Sequence, residues 1–137
     1  MVFNLKKIFS GKRKTSIAKL RLAEGSGLIF YNSLPLEELN LFHKLALQEP
    51  IRIYEQELKD PLKFDFHIKT VGGGKESQIQ AARLTIARAL VELTSSDTLK
   101  KAFIKYDRNI LVPDARRKEA NKPNDSSARS RRQKSYR

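Results

Sequence analysis

Cysteine is absent from the 137-residue chain. Disulfides and thiolate metal sites are therefore excluded, and a reducing cytosol is compatible with the sequence. Long apolar runs are missing too: none approaches the roughly 20 residues that a membrane-spanning helix requires. The opening MVFNLKKIFSGKRKT has too short an apolar stretch, and no small-residue cleavage site, for a signal peptide. The two histidines, His43 and His67, have no metal-ligand spacing. His67 falls on the polar side of an alternating segment, where a solvated ring is expected. Beyond Val112 there is no Leu, Ile, Val, Phe, Met or Trp. Residues 113–137 thus lack the apolar material to offset their ordering entropy, and the tail is expected to be disordered unless bound to a partner.

What is abundant is positive charge, +13 net. Residues 1–22 carry seven basic side chains and no acidic one, and residues 116–137 carry nine basic and two acidic, so each end contributes +7. The middle, 23–115, holds 12 basic and 13 acidic residues. A near-neutral body therefore bears two cationic appendages. With 39% hydrophobic residues the chain has material for one domain with a modest core plus an extension. The boundaries that follow are a globular 1–112 with a basic N-terminal segment, and an extended basic tail over 113–137.

Along the body, SIAKLRLA (16–23) alternates, with Ile17, Lys19 and Arg21 on one side and Ala18, Leu20 and Leu22 on the other, which predicts a strand with a basic solvent face. EGSG (24–27) reads as a turn and LIFYN (28–32) as a second strand, so 16–32 is expected to be a β-hairpin. Residues 34–48 have helical spacing with Pro35 near the start, and Pro50 is expected to end that helix. Residues 51–61 fit helix or strand. LKFDFHIKTV (62–71) alternates cleanly as a half-buried strand, and KESQIQAARLTIARALVEL (75–93) carries the strongest helical stripe, flanked by Arg83 and Arg88. Residues 95–106 read as a short helix capped by Ser96 or Asp97.

Between the last strand and the main helix stands a glycine loop, Gly72, Gly73 and Gly74. A phosphate loop requires Ser or Thr directly after Gly-Lys, where this chain has Glu76, and a dinucleotide-type G-x-G-x-x-G fails at Ser77. A tight strand-to-helix connection is the plainer reading. If the loop does bind phosphate, free N–H groups at the helix start are the cause, and a nucleic-acid backbone serves as well as a nucleotide. No general base or metal site accompanies it, so no catalytic activity, cofactor, metal or small-molecule substrate is expected. The basic ends point elsewhere. After residue 115 there are six arginines against three lysines, and arginine is the bidentate phosphate and base-edge binder. Two cationic ends on a neutral body, one of them free of apolar residues, fit clamps that order on a single anionic partner, a nucleic acid.

The segments GKRKTSIAKLRLAEGSGLIFYNSLPLEEL, FDFHIKTVGGGKESQIQAARLTIARALVEL and the closing QKSYR together resemble the universal small-subunit ribosomal protein nine family, from about Gly11 to Arg137. YDRNILVPDARRKE and QKSYR resemble its archaeal and eukaryotic branch. The sequence departs from the family's usual Gly at Ser77, from Asn-Gly at Asn32-Ser33, and from Asp-Pro-Arg-Arg at residues 114–117. The resemblance implies an α+β fold: a two-layer sandwich with an about four-stranded mixed sheet, helices packed on one face, a left-handed β-α-β crossover, and an extended basic C-terminal tail.

The resemblance also implies a structural constituent of the small ribosomal subunit, in its head, cytoplasmic and ribosome-bound. The implied partners are small-subunit rRNA, peptidyl-site tRNA and neighbouring head proteins, with no membrane. On this reading Arg137 reaches the tRNA anticodon stem-loop, and Tyr136, Lys134, Arg132, Arg131 and Arg129 lie along the approach. Tyr136 either stacks on a base or ribose or packs against backbone. The expected rRNA contacts are Lys12, Arg13 and Lys14 in the N-terminal segment, Lys75 and Arg83 near the glycine loop, and Arg116, Arg117, Lys118 and Lys122 in the tail. The alternative is a free-standing RNA-binding or RNA-chaperone protein.

Overall fold

The computed structural model of the chain describes residues 7–131 and 135–136. Five strands form one sheet: β1 (Ile8–Arg13), β2 (Ser16–Glu24), β3 (Ile29–Tyr31), β4 (Leu34–Pro35) and β5 (Phe64–Val71), in the spatial order β1-β2-β5-β3-β4. The helices are α1 (Leu41–Leu58), α2 (Lys75–Thr94) and α3 (Asp97–Tyr106), with short 3-10 turns at Leu36–Glu38 and Arg108–Ile110. The fold is α+β with a mixed sheet, as expected, and the two-residue β4 raises the strand number to five. β3 and β5 run parallel with α1 in the connection between them.

Two expectations about connectivity need correction. Residues 16–32 are not a hairpin: β5 lies between β2 and β3, antiparallel to the first and parallel to the second. Turn chemistry in EGSG is real, but its N–H groups bond sideways to β5. The Asp65 carboxylate accepts from Ser26, Gly27 and Leu28 at 2.9, 3.1 and 2.9 Å. The true hairpins flank this arrangement. β1 and β2 join through Lys14–Thr15, and β3 and β4 join through Asn32–Ser33. Both residues of the second turn have positive φ, 49° and 69°, the type I′ geometry that matches strand twist. Glycine adopts that backbone without the penalty an L side chain incurs. Ser33→Gly is therefore expected to stabilise the fold by about 1 kcal/mol, read as a higher midpoint in urea unfolding.

The second correction concerns Pro50, which sits inside α1 rather than ending it. Proline lacks the N–H for the Ala46 carbonyl, typically a cost of about 3 kcal/mol in a helix interior. Burial offsets it: Leu47, Pro50, Ile51 and Tyr54 form one buried stripe, and full burial of each large apolar side chain contributes about 2 kcal/mol. The helix instead stops at Lys59, a left-handed cap whose N–H reaches the Glu55 carbonyl at 3.1 Å. The predicted start at 34 is likewise displaced. Leu34–Pro35 pair with β3, and the Asn40 side chain caps α1 by accepting from the Phe42 N–H at 3.3 Å.

The core lies between sheet and helices. Even-numbered residues of β2 and β5 (Ala18, Leu20, Leu22, Phe66 and Ile68) are buried, and their odd-numbered neighbours face solvent. α2 crosses β1, β2 and β5, and α1 packs on α2 and α3. Strand β1, absent from the sequence-based expectations, turns Phe9 and Gly11 inward. At Gly11 the strand comes so close to α2 that a Cβ would stand 2.8 Å from the Ala81 carbonyl oxygen and against Thr85 Oγ1. The Ser96 hydroxyl caps α3.

Candidate nucleic-acid interface

Sequence-predicted cations converge where the tail leaves the body. Arg13, the last residue of β1, sends Nε to the Gln80 Oε1 of α2 at 2.9 Å and Nη2 to Asp114 Oδ2 at 3.2 Å. The same carboxylate is gripped by Arg116, through Nη2 at 2.7 Å, Nε at 2.9 Å and its own backbone N–H at 2.9 Å. Asp114 thus ties the first residues of the tail to the edge of the sheet. These groups, with Lys12, Arg83 and Asn109, line a recess of about 100 Å³. Nη1 of Arg13 is buried there without a hydrogen-bond partner.

Hydrogen bonds from the Arg116 side chain and backbone hold the Asp114 carboxyl well below the usual carboxylate range, with Arg13 adding its charge. A group whose folded pKa is depressed contributes stability above its unfolded value, about 3.9, and loses it only as pH falls through the folded value. The tail root is therefore expected to stay intact down to about pH 3, below the ordinary carboxylate range. A carbon-detected NMR titration should show Asp114 ionised there, with Arg116→Ala returning it towards that range. Unchanged titration in the variant would mean that the bidentate pair is absent in solution.

The remaining rRNA candidates fall into three settings. Lys14 occupies the β1–β2 turn with φ 52°, a left-handed backbone that projects the loop from the sheet end. The glycine loop lies against this turn: Gly72 approaches the Thr15 carbonyl, and Gly73 has φ 67° beside Ser16. Its polar groups point largely inward. Ser16 Oγ donates to the Gly72 carbonyl at 2.9 Å and lies 2.6 Å from Ser77 Oγ, and Gln78 Nε2 donates to the same carbonyl at 3.0 Å. Ser77 is thus an internal strut joining loop, β2 and α2. Lys75 begins α2 on the exposed side of this loop.

Arg83 has carboxylates on two sides, Glu49 of α1 and Asp107 after α3, the latter at 3.3 Å. Glu49 also accepts from the Tyr106 hydroxyl, which raises the tyrosine's pKa. Arg88 donates to the carbonyls of Leu111 and Ser10 at 3.0 and 3.2 Å. Both arginines join elements of the body, so their geometry is that of braces. Arg117, Lys118 and Lys122 are exposed along a segment with neither helix nor strand. Arg129 pairs with Glu119 at 3.0 Å, Arg131 is exposed, and Tyr136 is 89% exposed. Arg132, Lys134 and Arg137 lie outside the described residues.

Sequence reasoning did not foresee Asp114 and Gln80 as the organisers of Arg13. Their signal was faint: an acidic residue separated by one alanine from an arginine pair, and a glutamine on a helix flank.

A small α+β body with Lys12, Arg13 and Arg116 at one sheet end, continued over the described residues by a basic segment with neither helix nor strand, has the features of a basic nucleic-acid-binding protein. Residues 11–137 match the family model described as Ribosomal protein S9/S16. Among curated proteins, small ribosomal subunit protein uS9 of Methanococcus vannielii is 45% identical over 130 residues, spanning 93% of this chain and 95% of the relative. The protein of the same name from Methanococcus maripaludis strain C5 shows the same identity and coverage, and that of strain C7 is 44% identical over 130 residues. The chain belongs to the ribosomal protein S9 family, in its archaeal-type branch. Members of this family are structural, non-enzymatic constituents of the ribosome, and this chain is accordingly not an enzyme. Among the described residues no helix is long and apolar enough to cross a membrane.

Proposed function

We propose that this protein docks on small-subunit rRNA in the head of the subunit through the β1–β2 turn and the tail root, and sends its tail to the peptidyl-site tRNA. The observation that carries this reading is the clamp at Asp114, which fixes where the tail starts by holding Arg116 against Arg13. From that anchor, residues 113–137 extend at most about 90 Å, enough to thread between RNA helices that would exclude a folded domain. Arg13, Lys12 and Lys14 neutralise rRNA phosphates at the sheet end, with Lys75 beside them and Arg83 holding α2 in place. Arg116, Arg117, Lys118 and Lys122 continue the phosphate track. Arg129, Arg131, Arg132, Lys134, Tyr136 and Arg137 line the approach to the anticodon stem-loop. The family's place in the ribosome and the relatives' name, small ribosomal subunit protein, support this assignment, and a cytoplasmic ribosome is its setting.

Ultraviolet crosslinking with sequencing of the bound RNA tests it, comparing the full chain with one ending at Ala128. Small-subunit rRNA is expected in both, and tRNA only with the full chain. Diffuse crosslinks to unrelated RNAs, mostly lost with the tail, would instead identify a free-standing RNA chaperone.

A further inference from the structure

The sheet has a second face, opposite the helices. Strand order brings onto it residues that are remote in sequence: Arg21 of β2 is in register with Ile8 of β1 and His67 of β5, and His67 with Phe30 of β3. In the next row Lys19 is in register with Ser10 and Lys69. Phe30 and His67 stack with ring centroids 4.8 Å apart and planes 5° from parallel. Together with Lys19, Arg21, Lys69 and Ile8 they line a shallow recess of about 580 Å³.

Charge on this face is one-sided. Lys19, Arg21 and Lys69 form no ion pair with any described residue. The acidic residue of β5 that shares their side, Asp65, is consumed by the three backbone N–H groups of the 26–28 loop. Three uncompensated cations around a stacked ring pair are the two components by which proteins hold unpaired nucleic acid: a cationic track for the backbone and a π surface for a base. A duplex hides its base faces, so the rings select for a splayed or single-stranded segment.

We propose that the helix-free face of the sheet is a second RNA-contact surface, which seats an unpaired base against the Phe30–His67 stack while Lys19, Arg21 and Lys69 hold the flanking phosphates. The surface is distinct from the tail root, and the assignment rests on the reading of this chain as an rRNA binder.

The test uses the full chain and three probes: a single-stranded RNA of about ten nucleotides containing 2-aminopurine, the duplex of the same sequence, and a transcript of the small-subunit rRNA head domain. Phe30→Leu and His67→Ala are each expected to weaken single-strand binding about fivefold or more, to abolish the stacking quench of 2-aminopurine, and to change duplex binding less. Lys19→Ala combined with Lys69→Ala is expected to flatten the single-strand salt slope by about 1.4. Melting curves identify any variant that fails to fold. Because His67 is exposed, its substitution keeps the test valid if the half-buried Phe30 does not tolerate change. Wild-type affinity, quench and slope in all these variants would overturn the proposal and leave the face to a protein neighbour. A wild-type chain that does not bind the head-domain transcript would instead overturn the rRNA reading. Transcript binding lost in Arg13→Ala but untouched in the sheet-face variants would overturn only the second surface.

Discussion

Ending the chain at Ala128 is expected to leave the melting temperature within about 1 °C and to remove much of the salt sensitivity of RNA binding by the whole protein, tRNA included. The stability half follows from where the tail's interactions go. Arg129 bonds Glu119, Ser130 bonds Ser127 and Asn121 bonds Ser126, all between tail residues and all exposed. Exposed ion pairs of this sort contribute about 0–1 kcal/mol. The binding half follows from counterion release. If roughly ten phosphates are neutralised by the whole protein, affinity falls with a logarithmic slope near −9 on duplex RNA, or about 10⁵-fold between 50 and 200 mM salt. The truncation deletes five cations, Arg129, Arg131, Arg132, Lys134 and Arg137. At about 0.7–0.9 per phosphate contact the slope should flatten by about 3.5–4.5, leaving a loss of about 10³-fold over the same range. Filter binding to a head-domain transcript and to an anticodon stem-loop RNA across salt concentrations measures both numbers. A melting point several degrees lower would show that the tail packs on its own domain. An unchanged slope would show that its cations never meet phosphate.

Gly11→Ala should be a damaging small substitution in the body, costing about 1–3 kcal/mol as an overpacked contact and lowering the melting temperature by about 3–10 °C. The reason is not backbone freedom, since Gly11 has no positive φ. It is proximity. The new methyl would meet the Ala81 carbonyl of α2, which is helix backbone and cannot swing aside, as well as Leu84 and Thr85. Thr85 is itself pinned, its hydroxyl donating to that same carbonyl at 2.7 Å. Relief requires β1 to lift from α2, and two residues on, Arg13 would draw away from Gln80 and Asp114. Loss of stability should therefore be accompanied by weaker rRNA binding at a temperature where the variant is still folded. Thermal denaturation and filter binding on the same preparation check this. Unchanged affinity in a folded, destabilised variant would separate the sheet-end cations from the β1–α2 contact.

How much of this was legible in the sequence varies with the kind of signal. Strands 16–23 and 62–71 and the helix at 75–93 showed themselves because a single period, two or 3.6, runs through each. β1 did not, because only Phe9 marks its inner face and the other inward position is a glycine. The 16–32 hairpin was misjudged because a turn sequence says that the chain bends and nothing about what is inserted beside it. Pro50 misled for a related reason: its cost is local, while the burial that offsets it depends on helices distant in sequence. The site divides the same way. Composition alone exposed the tail and the basic N-terminal segment. The clamp at Asp114 and the Phe30–His67 stack depend on strand order, which no local pattern encodes.

That strand order also sets a schedule for synthesis. β1 and β2 form a hairpin from neighbouring residues, as do β3 and β4, yet neither hairpin touches the other in the finished sheet. Both must wait for β5, which pairs Leu20 with Ile68 on one side and Tyr31 with Ile68 on the other. Long-range pairings of this kind slow folding, because loop closure is unfavourable until they form. A nascent chain therefore holds two open strand edges until Phe64–Val71 has left the exit tunnel, and the cations of its first 22 residues are free to meet RNA before the domain that will carry them is closed. The topology of this chain thus contains an interval in which recognition can precede folding.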